Sequence, residues 1–271
     1  MRDRRSSLRY VAVLVLLTLS AGLGTEAGDK KGKPLSLVLI TAEDEYNTQE
    51  TLPDFAAKHL GKEFRVKHII ANEKDPNSLP GIEALKEADV AILSVRRRAP
   101  PRAQMAVLRK FLADGKPLVA LRTSSHAFTL LKGKPLPPGH EEWPEFDRDI
   151  LGGNYTGHHG NRGPKAPRTL VRTLPEAAKH PILTGLPAEE FVVASWLYKT
   201  SPLSRKATPL LTGRVEGRPM PEPVAWTFTS PAGGRVFYTS LGHPDDLRLP
   251  AVRRLLRNGI YWASGLSVPR D

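Results

Sequence analysis

The sequence predicts an α/β domain built on a mainly parallel, doubly wound sheet. Over residues 35–121, apolar runs of strand length alternate with longer segments whose apolar residues recur at helical spacing. Strands that lie parallel need crossover connections of this length, whereas antiparallel neighbours do not. Gly61 and Gly115 mark the ends of two of the helices. The predicted strands of this half are 35–40, 64–70, 90–95 and 117–121, and the predicted helices are 51–60, 82–88 and 102–113.

The second half of the chain is richer in strands. A closing helix is predicted over 250–263, with Leu255, Leu256 and Ile260 facing inward. Residues 132–165 are rich in Gly, Pro and His and are too long for a plain connector, so they predict a lid or a binding loop. The strands predicted in this half are 169–174, 191–200, 208–215, 224–228 and 235–241.

Composition limits the classes of protein to consider. The chain has 271 residues, of which 40% are hydrophobic and 25% charged, which excludes a disordered chain and fits one large domain or two small ones. It contains no cysteine, and this excludes disulfides, thiolate catalysis and cysteine-based metal sites. The net charge is +12, but the basic residues scatter over predicted helices and loops without interleaved aromatics. We therefore expect no nucleic-acid partner.

The N-terminus has the order of a secretory signal. Four arginines precede the apolar run 11–19, and small residues follow up to Ala27. The run is far shorter than the roughly 20 residues that span a bilayer, so we expect cleavage and no stable membrane insertion. The predicted organisation is a signal peptide over 1–27, a linker over 28–34 and one folded domain over 35–265, in a periplasmic or extracellular protein.

Polar residues collect just after four of the predicted strands. In an open α/β sheet the ligand crevice lies beyond the carboxyl ends of the strands, so these segments should converge on one edge. The residues concerned are Glu43 after the first strand, Arg96 after the third, Arg122, Ser124 and His126 after the fourth, and His243 with Asp245 after the last.

Each of these residues also has a purely structural interpretation. Glu43 could cap the first helix, where a carboxylate is favoured. The run 96–98 could be a solvated turn, and Ser124 could belong to an ordinary helix cap. Either histidine alone would more often be a hydrogen-bonded structural residue, although two of them just past strand ends favour a site.

A second concentration of candidate residues is the segment 153–160, which contains Tyr155, His158 and His159. Adjacent histidines point to opposite sides of an extended chain, and no HExxH spacing is present. We therefore predict no metal site and no required cofactor, although a divalent ion held by Glu43 and the histidines stays open. The segment is expected to shape the floor or the lid of a pocket.

Several motifs resemble the ThuA-like (trehalose utilisation) family over roughly residues 35–265. They are AILSVRRR, KPLVALRTSSHAF, LGGNYTGHHG, HPILTGL, PVAWTF, GGRVFYTSLGHPDD and RRLLRNGIYWA. The resemblance implies a single flavodoxin-like domain with the fold of class I glutamine amidotransferases, extended by β-rich insertions in the second half. It also implies a role in sugar metabolism around keto forms of disaccharides.

The amidotransferase comparison can be made residue by residue. Those enzymes carry a nucleophilic cysteine after a strand and a late His-Pro-Glu; here Arg122 or Thr123 stands at the first position, and His243-Pro244-Asp245 resembles the second. Since the chain has no cysteine, glutamine hydrolysis by that mechanism is excluded. A Ser or Thr nucleophile at 123–125 lacks the flanking glycines of a nucleophile elbow.

The sequence therefore predicts an exported protein that acts on a small carbohydrate through a histidine paired with a carboxylate, as an isomerase or hydrolase of keto-sugars. A non-catalytic domain that holds a sugar or a partner protein is the alternative. The predicted catalytic residues are His243, His126, Asp245 and Glu43, and the predicted substrate-binding residues are Arg96, Arg122, Ser124, Tyr155, His158 and Tyr198.

Overall fold

The computed structural model describes residues 33–270. The predicted signal peptide, 1–27, and most of the predicted linker, 28–34, lie outside the described residues. The helices are α1 (Thr48–His59), α2 (Arg102–Ala113) and α3 (Pro250–Ala263). The strands are β1 (Leu35–Ala42), β2 (Phe64–Ile70), β3 (Val90–Val95), β4 (Leu118–Leu121), β5 (Gly157–His158), β6 (Thr169–Thr173), β7 (Phe191–Val193), β8 (Tyr198–Lys199), β9 (Thr208–Val215), β10 (Pro221–Thr229) and β11 (Arg235–Thr239).

A nine-stranded sheet in the order β2-β1-β3-β4-β11-β10-β9-β6-β7 forms the centre of the domain. The first five strands in this order are parallel to one another, and the remaining pairings are antiparallel. The predicted α/β class with a mainly parallel central sheet is confirmed. The β-rich second half extends that sheet on one side and adds the small pair β5-β8.

Helices cover both faces of the parallel strands, as the apolar runs require. Leu37 and Leu39 of β1 face a core that includes Leu52 of α1, and α3 packs into the same core. Val38 and Ile40 face the opposite core, which contains the apolar side of α2. Strands buried on both faces read as continuous apolar runs because neither side of the sheet meets water. Each large side chain buried in this way contributes about 1.5–3 kcal/mol.

Two strands of the antiparallel side depart from the predicted pattern. The predicted strand 191–200 is wrong as one continuous element, because it divides into β7 and β8, which belong to different sheets. Strand β10 begins at Pro221, ahead of the predicted start at 224, and the register shifts just after Pro223. Proline cannot donate to the ladder, so it is tolerated at such an irregularity.

The remaining differences are at helix boundaries. Helix α1 begins at Thr48, three residues before its predicted start, and the predicted helix over 82–88 is a short 3-10 helix over Ile82–Glu87. The apolar residues Leu266 and Val268, beyond the predicted domain end at 265, pack against the core. Within residues 33–270, none of the helices has the length and apolarity needed to cross a membrane.

Candidate functional site

The carboxyl ends of β1, β3, β4 and β11 lie at one edge of the sheet. The strand register pairs Ala42 with Val95 and Leu121 with Thr239, so the residues that follow these strands emerge side by side. A direct contact joins two of these segments, because the Arg122 guanidinium donates to the Tyr46 hydroxyl at 2.9 Å. At the edge predicted to hold a site, side chains from separate strand ends are therefore in contact.

Backbone strain is concentrated at the same edge. Three non-glycine residues within 33–270 have positive φ: Asn47 at 54°, Arg97 at 53° and Arg122 at 44°. They follow β1, β3 and β4 respectively. The left-handed region costs about 1–2 kcal/mol for a residue with a Cβ, and asparagine tolerates it better than arginine. Strain of this kind persists where the surroundings hold it, and it is typical of functional sites.

Arg122 is the centre of the cluster. Its side chain is 2% exposed, and it donates from Nη1 to the Ser240 backbone oxygen at 2.8 Å as well as to Tyr46. Its Nε is buried and has no hydrogen-bond partner among the described residues. The guanidinium carbon lies 4.2 Å from the ring centroid of Tyr46 and 4.9 Å from that of Tyr198. Arg122 is therefore a buried cation enclosed mainly by aromatic rings.

His126 lies on one side of this centre. Its imidazole stacks on Tyr155 with ring centroids 4.3 Å apart, and its Nδ1 is 3.2 Å from the Ser125 hydroxyl. Tyr155 in turn meets Tyr198 edge-on at 4.8 Å. Burial, together with the positive charge of Arg97 and other arginines, lowers the pKa of His126 well below its ordinary value. The ring is therefore neutral at pH 7.

His243 lies against the opposite side of the aromatic group. Its ring meets Tyr46 edge-on at 5.9 Å, and its Nδ1 accepts a hydrogen bond from the Asp245 backbone N–H at 3.2 Å. The Asp245 carboxylate is 3.6 Å from the same nitrogen and also pairs with Arg248 at 3.0 Å. Burial lowers the pKa of His243, with the nearby Asp246 carboxylate acting in the opposite direction. Both histidines are thus neutral near pH 7.

Trp196, which lies between β7 and β8, adds a further aromatic ring to the cluster. It meets Tyr46 edge-on at 6.0 Å and His158 at 5.8 Å, and the Arg162 guanidinium lies 4.3 Å from its ring centroid. Trp196 is partly exposed and His158 is exposed, so both lie at the surface of the cluster. Half-buried aromatic rings beside polar groups are typical of small-molecule binding sites.

The arginines that follow β3 differ in their partners. Arg96 pairs with Asp44 at 3.2 Å and with Glu45 at 2.9 Å, and Arg98 lies 3.7 Å from Asp44. Arg97, which carries the left-handed backbone, instead donates to the backbone oxygen of Thr129 at 3.2 Å. The run predicted as a clamp or a solvated turn therefore divides into two charge-paired arginines and one without a carboxylate partner among the described residues.

Two predicted residues are held by local hydrogen bonds. The Glu43 carboxylate accepts from the backbone N–H groups of Glu45, Tyr46 and Thr48 and from the Thr48 hydroxyl, at 2.7–2.9 Å. It thus fixes the turn that leads into α1, as the capping alternative describes. The Ser124 hydroxyl donates to the Leu93 backbone oxygen at 2.8 Å. These hydrogen bonds hold the backbone of the turns after β1 and β4.

A family model described as trehalose utilisation (ThuA) matches residues 37–263. The chain belongs to the ThuA family. The solved structures that resemble it include a protein called ThuA-like from Bacteroides uniformis, at 22% identity and a TM-score of 0.60, which covers 89% of this chain and 95% of that one. A ThuA-like protein from Parabacteroides merdae follows at 17% identity and 0.59, covering 88% and 93%.

A third similar structure is the mmIFT52 N-terminal domain, at 13% identity and a TM-score of 0.53, which covers 84% of this chain and 97% of that one. At these identities the likeness shows the fold alone. No curated protein gives a significant match to the chain.

Three buried carboxylates outside the predicted set connect the loops of this ThuA domain to its sheet. Asp246 is fully buried, and it accepts from the Ala194 N–H at 2.6 Å, from the Gly242 N–H at 3.2 Å and from both the backbone and the hydroxyl of Ser195. It thereby joins the end of β11 to the segment that carries Trp196. The only sequence signal for Asp246 is its position next to Asp245, a predicted site residue.

Glu222 of β10 anchors the small pair β5-β8. One carboxylate oxygen accepts from the backbone N–H groups of Thr200 and Ser201 at 3.0 and 2.9 Å, and the other lies 3.0 Å from His159 Nε2. Burial opposes ionisation, but these hydrogen bonds outweigh it and lower the pKa of Glu222. Tyr198 of β8 is held in the cluster by this anchor. A glutamate between two prolines, Pro221 and Pro223, is the only sequence signal.

Asp147 holds the loop that carries Tyr155. Its Oδ2 accepts from the Tyr155 N–H at 2.6 Å, whereas its Oδ1 is buried with no hydrogen-bond partner among the described residues. A Cβ at Gly153 would collide with this carboxyl group, so glycine permits the close approach. Burial raises the pKa of Asp147 to about 7. No spacing or motif in the sequence distinguishes this aspartate.

Within residues 33–270 no group of three or more His, Asp or Glu side chains has the arrangement of a metal site. A groove of about 690 Å³ lies away from the cluster, beside β7 and the start of α3, and Leu186, Phe191 and Leu249 contribute to its walls. None of the predicted site residues lines it. This groove is therefore separate from the edge around Arg122.

Proposed function

We propose that this ThuA domain binds a carbohydrate at the edge around Arg122 and transforms it by acid–base chemistry. Two half-buried histidines carry the proposal: His243 meets Tyr46 and His126 meets Tyr198, and both of these rings pack on the buried Arg122 guanidinium. The partly exposed rings of Tyr155 and Trp196 supply faces for a sugar, and His243 supplies a group that can accept a proton. The family description, trehalose utilisation, supports the substrate class.

The two histidines suit different steps. His243 is partly exposed and the Asp246 carboxylate favours its protonated form, so it is the better proton acceptor. His126 is neutral among arginines, and a neutral imidazole N–H can polarise a carbonyl oxygen without transferring its proton. Removal of a proton next to the carbonyl of a keto-sugar by His243, with His126 on the carbonyl oxygen, is the reaction that we assign to the site. Asp245 would orient His243.

The structure also bears on glutamine amidotransferase chemistry. The strained residue after β4, where an elbow nucleophile would stand, is Arg122, and its side chain is buried and hydrogen-bonded. An arginine offers no nucleophile. We propose that the order of the five parallel strands, β2-β1-β3-β4-β11, is that of a flavodoxin-like sheet, so the domain keeps the amidotransferase-like fold without that reaction.

The second candidate function is a non-catalytic binding domain. It is favoured by the hydrogen bonds that occupy the Glu43 carboxylate and the Ser124 hydroxyl, which leave fewer groups free for chemistry. In that case the same rings and arginines hold a sugar or a partner protein without turnover. For either function we propose export through the segment 1–27, on the strength of its charge and apolar pattern.

Incubation of the purified protein with disaccharides and their 3-keto derivatives tests the proposal, with and without chelator. We expect the wild type to convert a keto-sugar and the His243→Ala variant to lose at least about a hundredfold in rate. The matched control is His59→Ala, since His59 lies at the end of α1 and packs on Phe55. Binding without turnover in every sample would favour the second function, and loss of turnover with chelator alone would show a metal requirement.

A further inference from the structure

Two arginines at the edge around Arg122 lack a carboxylate partner, which indicates the kind of carbohydrate that the site binds if the proposed function holds. Arg97 and Arg122 have no carboxylate within 4 Å among residues 33–270, whereas Arg96 and Arg98 on either side of Arg97 are paired with Asp44. Buried charges in proteins are normally paired, because removing an ion from water costs several kcal/mol. Two unpaired guanidinium groups at one site are therefore a specific feature.

The two unpaired arginines are also the two strained ones. Arg97 and Arg122 have φ values of 53° and 44°, in the left-handed region that a bulky side chain rarely adopts. Arg97 is the second residue after β3 and Arg122 the first after β4, and the backbone N–H of Arg97 donates to the backbone oxygen of His126 at 3.2 Å. This bond ties the turn after β3 to the turn after β4. The turn that carries Arg97 thus contacts His126, and the Arg122 guanidinium lies over Tyr198, whose ring meets both His126 and Tyr155.

The nearby carboxylates do not contact these two guanidinium groups. Asp44 and Glu45 pair with Arg96. Asp246 accepts from four donors of the chain and acts on Arg122 only from beyond 4 Å. In a site of low dielectric constant, a guanidinium without a direct carboxylate partner favours an anion over a neutral molecule of the same shape.

We infer that the carbohydrate bound at this site carries an oxyanion group, which the half-buried Arg97 contacts at the surface while the buried Arg122 contributes its charge from below. A planar guanidinium matches the geometry of both a carboxylate and a phosphate. The ligand is thus a sugar acid or a sugar phosphate, with its ring on the aromatic side chains. The two sources share the chemistry that the site recognises.

Calorimetric titration of the purified protein with glucose, glucuronate and glucose 6-phosphate tests the inference. We expect at least one anionic sugar to bind about tenfold or more tightly than glucose, which is the effect of one charge-assisted hydrogen bond. Whichever anionic sugar binds more tightly identifies the source. Raising the salt concentration should weaken binding of the anionic sugars and leave glucose unaffected. This salt titration needs no variant.

The variants Arg97→Gln and Arg98→Gln make a matched pair, because they remove one charge each from the same turn. The preference for the anionic sugar should disappear in Arg97→Gln and persist in Arg98→Gln, with circular dichroism to verify folding. Glucose binding as tightly as both anionic sugars would overturn the inference and leave the proposed function standing. If none of the three sugars binds, the inference fails, whereas the proposed function is decided separately by the assay with disaccharides and their 3-keto derivatives.

Discussion

The imidazole ring of His126 stacks on the phenol ring of Tyr155, with centroids 4.3 Å apart and planes 23° from parallel. The two residues come from different parts of the fold. His126 ends the turn after β4, and Tyr155 belongs to the long loop before β5. The stack therefore fastens that loop to the sheet edge and removes one face of the imidazole from water.

Truncation of Tyr155 should change the titration of His126. Because burial is the largest cause of the lowered pKa of His126, Tyr155→Ala should raise that pKa toward its ordinary value. Tyr155→Phe keeps the ring and should leave the pKa unchanged, so it is the matched control. Proton NMR of the imidazole as a function of pH measures both. An unchanged pKa in Tyr155→Ala would mean that the arginines, and not the stack, keep the ring neutral.

Asp147 should make the stability of the domain depend on pH. Its pKa is raised by burial to about 7 in the folded state, so the folded protein holds a proton that the unfolded chain releases near pH 4. Stability is then greatest at low pH and falls as the pH rises toward 7, by up to about 4 kcal/mol. Asp147→Asn should abolish this fall, because an amide does not ionise and its oxygen still accepts from Tyr155.

Urea unfolding between pH 4 and pH 8 measures the effect of Asp147. Asp149→Asn is the control, since Asp149 lies on the same turn, is partly exposed and pairs with the neighbouring Arg148. That variant should keep the wild-type pH profile. A wild-type stability that stays flat over this range would show that Asp147 ionises in the folded protein at an ordinary pH.

The parallel half of the fold was predictable because its signals are local. The run Val90–Val95 is short, apolar except for Ser94 and rich in β-branched residues, which favours an interior strand, and the structure buries it at every position. The strand predicted over 191–200 failed for the opposite reason. Its middle residues, Ala194 and Ser195, donate their backbone N–H groups to Asp246, some 50 residues away in the chain. No local pattern reveals a hydrogen bond of that range.

The candidate site was predictable to the extent that it follows strand ends. The rule that ligands bind beyond the carboxyl ends of parallel strands placed Arg122, His126 and His243 together, and the structure brings them to one aromatic cluster. The same rule does not distinguish Arg97 from Arg96, since the difference lies in a backbone angle and in a carboxylate partner. Nor does it indicate Asp147, whose importance comes from burial.

Glu222 should stabilise the domain through the donors that it satisfies. Glu222→Ala leaves the N–H groups of Thr200 and Ser201 without their acceptor, and a buried orphan donor costs about 1–3 kcal/mol. We therefore expect a loss of about 3 kcal/mol in the free energy of unfolding. Glu222→Gln keeps an acceptor oxygen and should cost less.

The matched control for Glu222 is Glu216→Ala, because Glu216 is exposed in the connection between β9 and β10. Its stability should stay within about 0.5 kcal/mol of the wild type. Since hydrogen bonds lower the pKa of Glu222, the contribution of this residue is present at neutral pH and is lost as the pH falls through that lowered pKa. Equal stability of Glu222→Ala and the wild type would show that water replaces the carboxylate.

Substitution of Asp246 should destabilise the domain, whereas substitution of its neighbour Asp245 should not. In Asp246→Asn, an amide N–H₂ replaces one of the carboxylate oxygens that accept from the backbone N–H groups of Ala194 and Gly242. Donor would then face donor, so the free energy of unfolding should fall by about 2 kcal/mol. Because the Asp246 charge favours protonated His243, the same variant should also lower the pKa of that histidine, measurable by NMR. Asp245→Asn changes an exposed residue and should leave the stability within about 0.5 kcal/mol of the wild type. Equal stability losses in the two variants would contradict the anchoring role of Asp246.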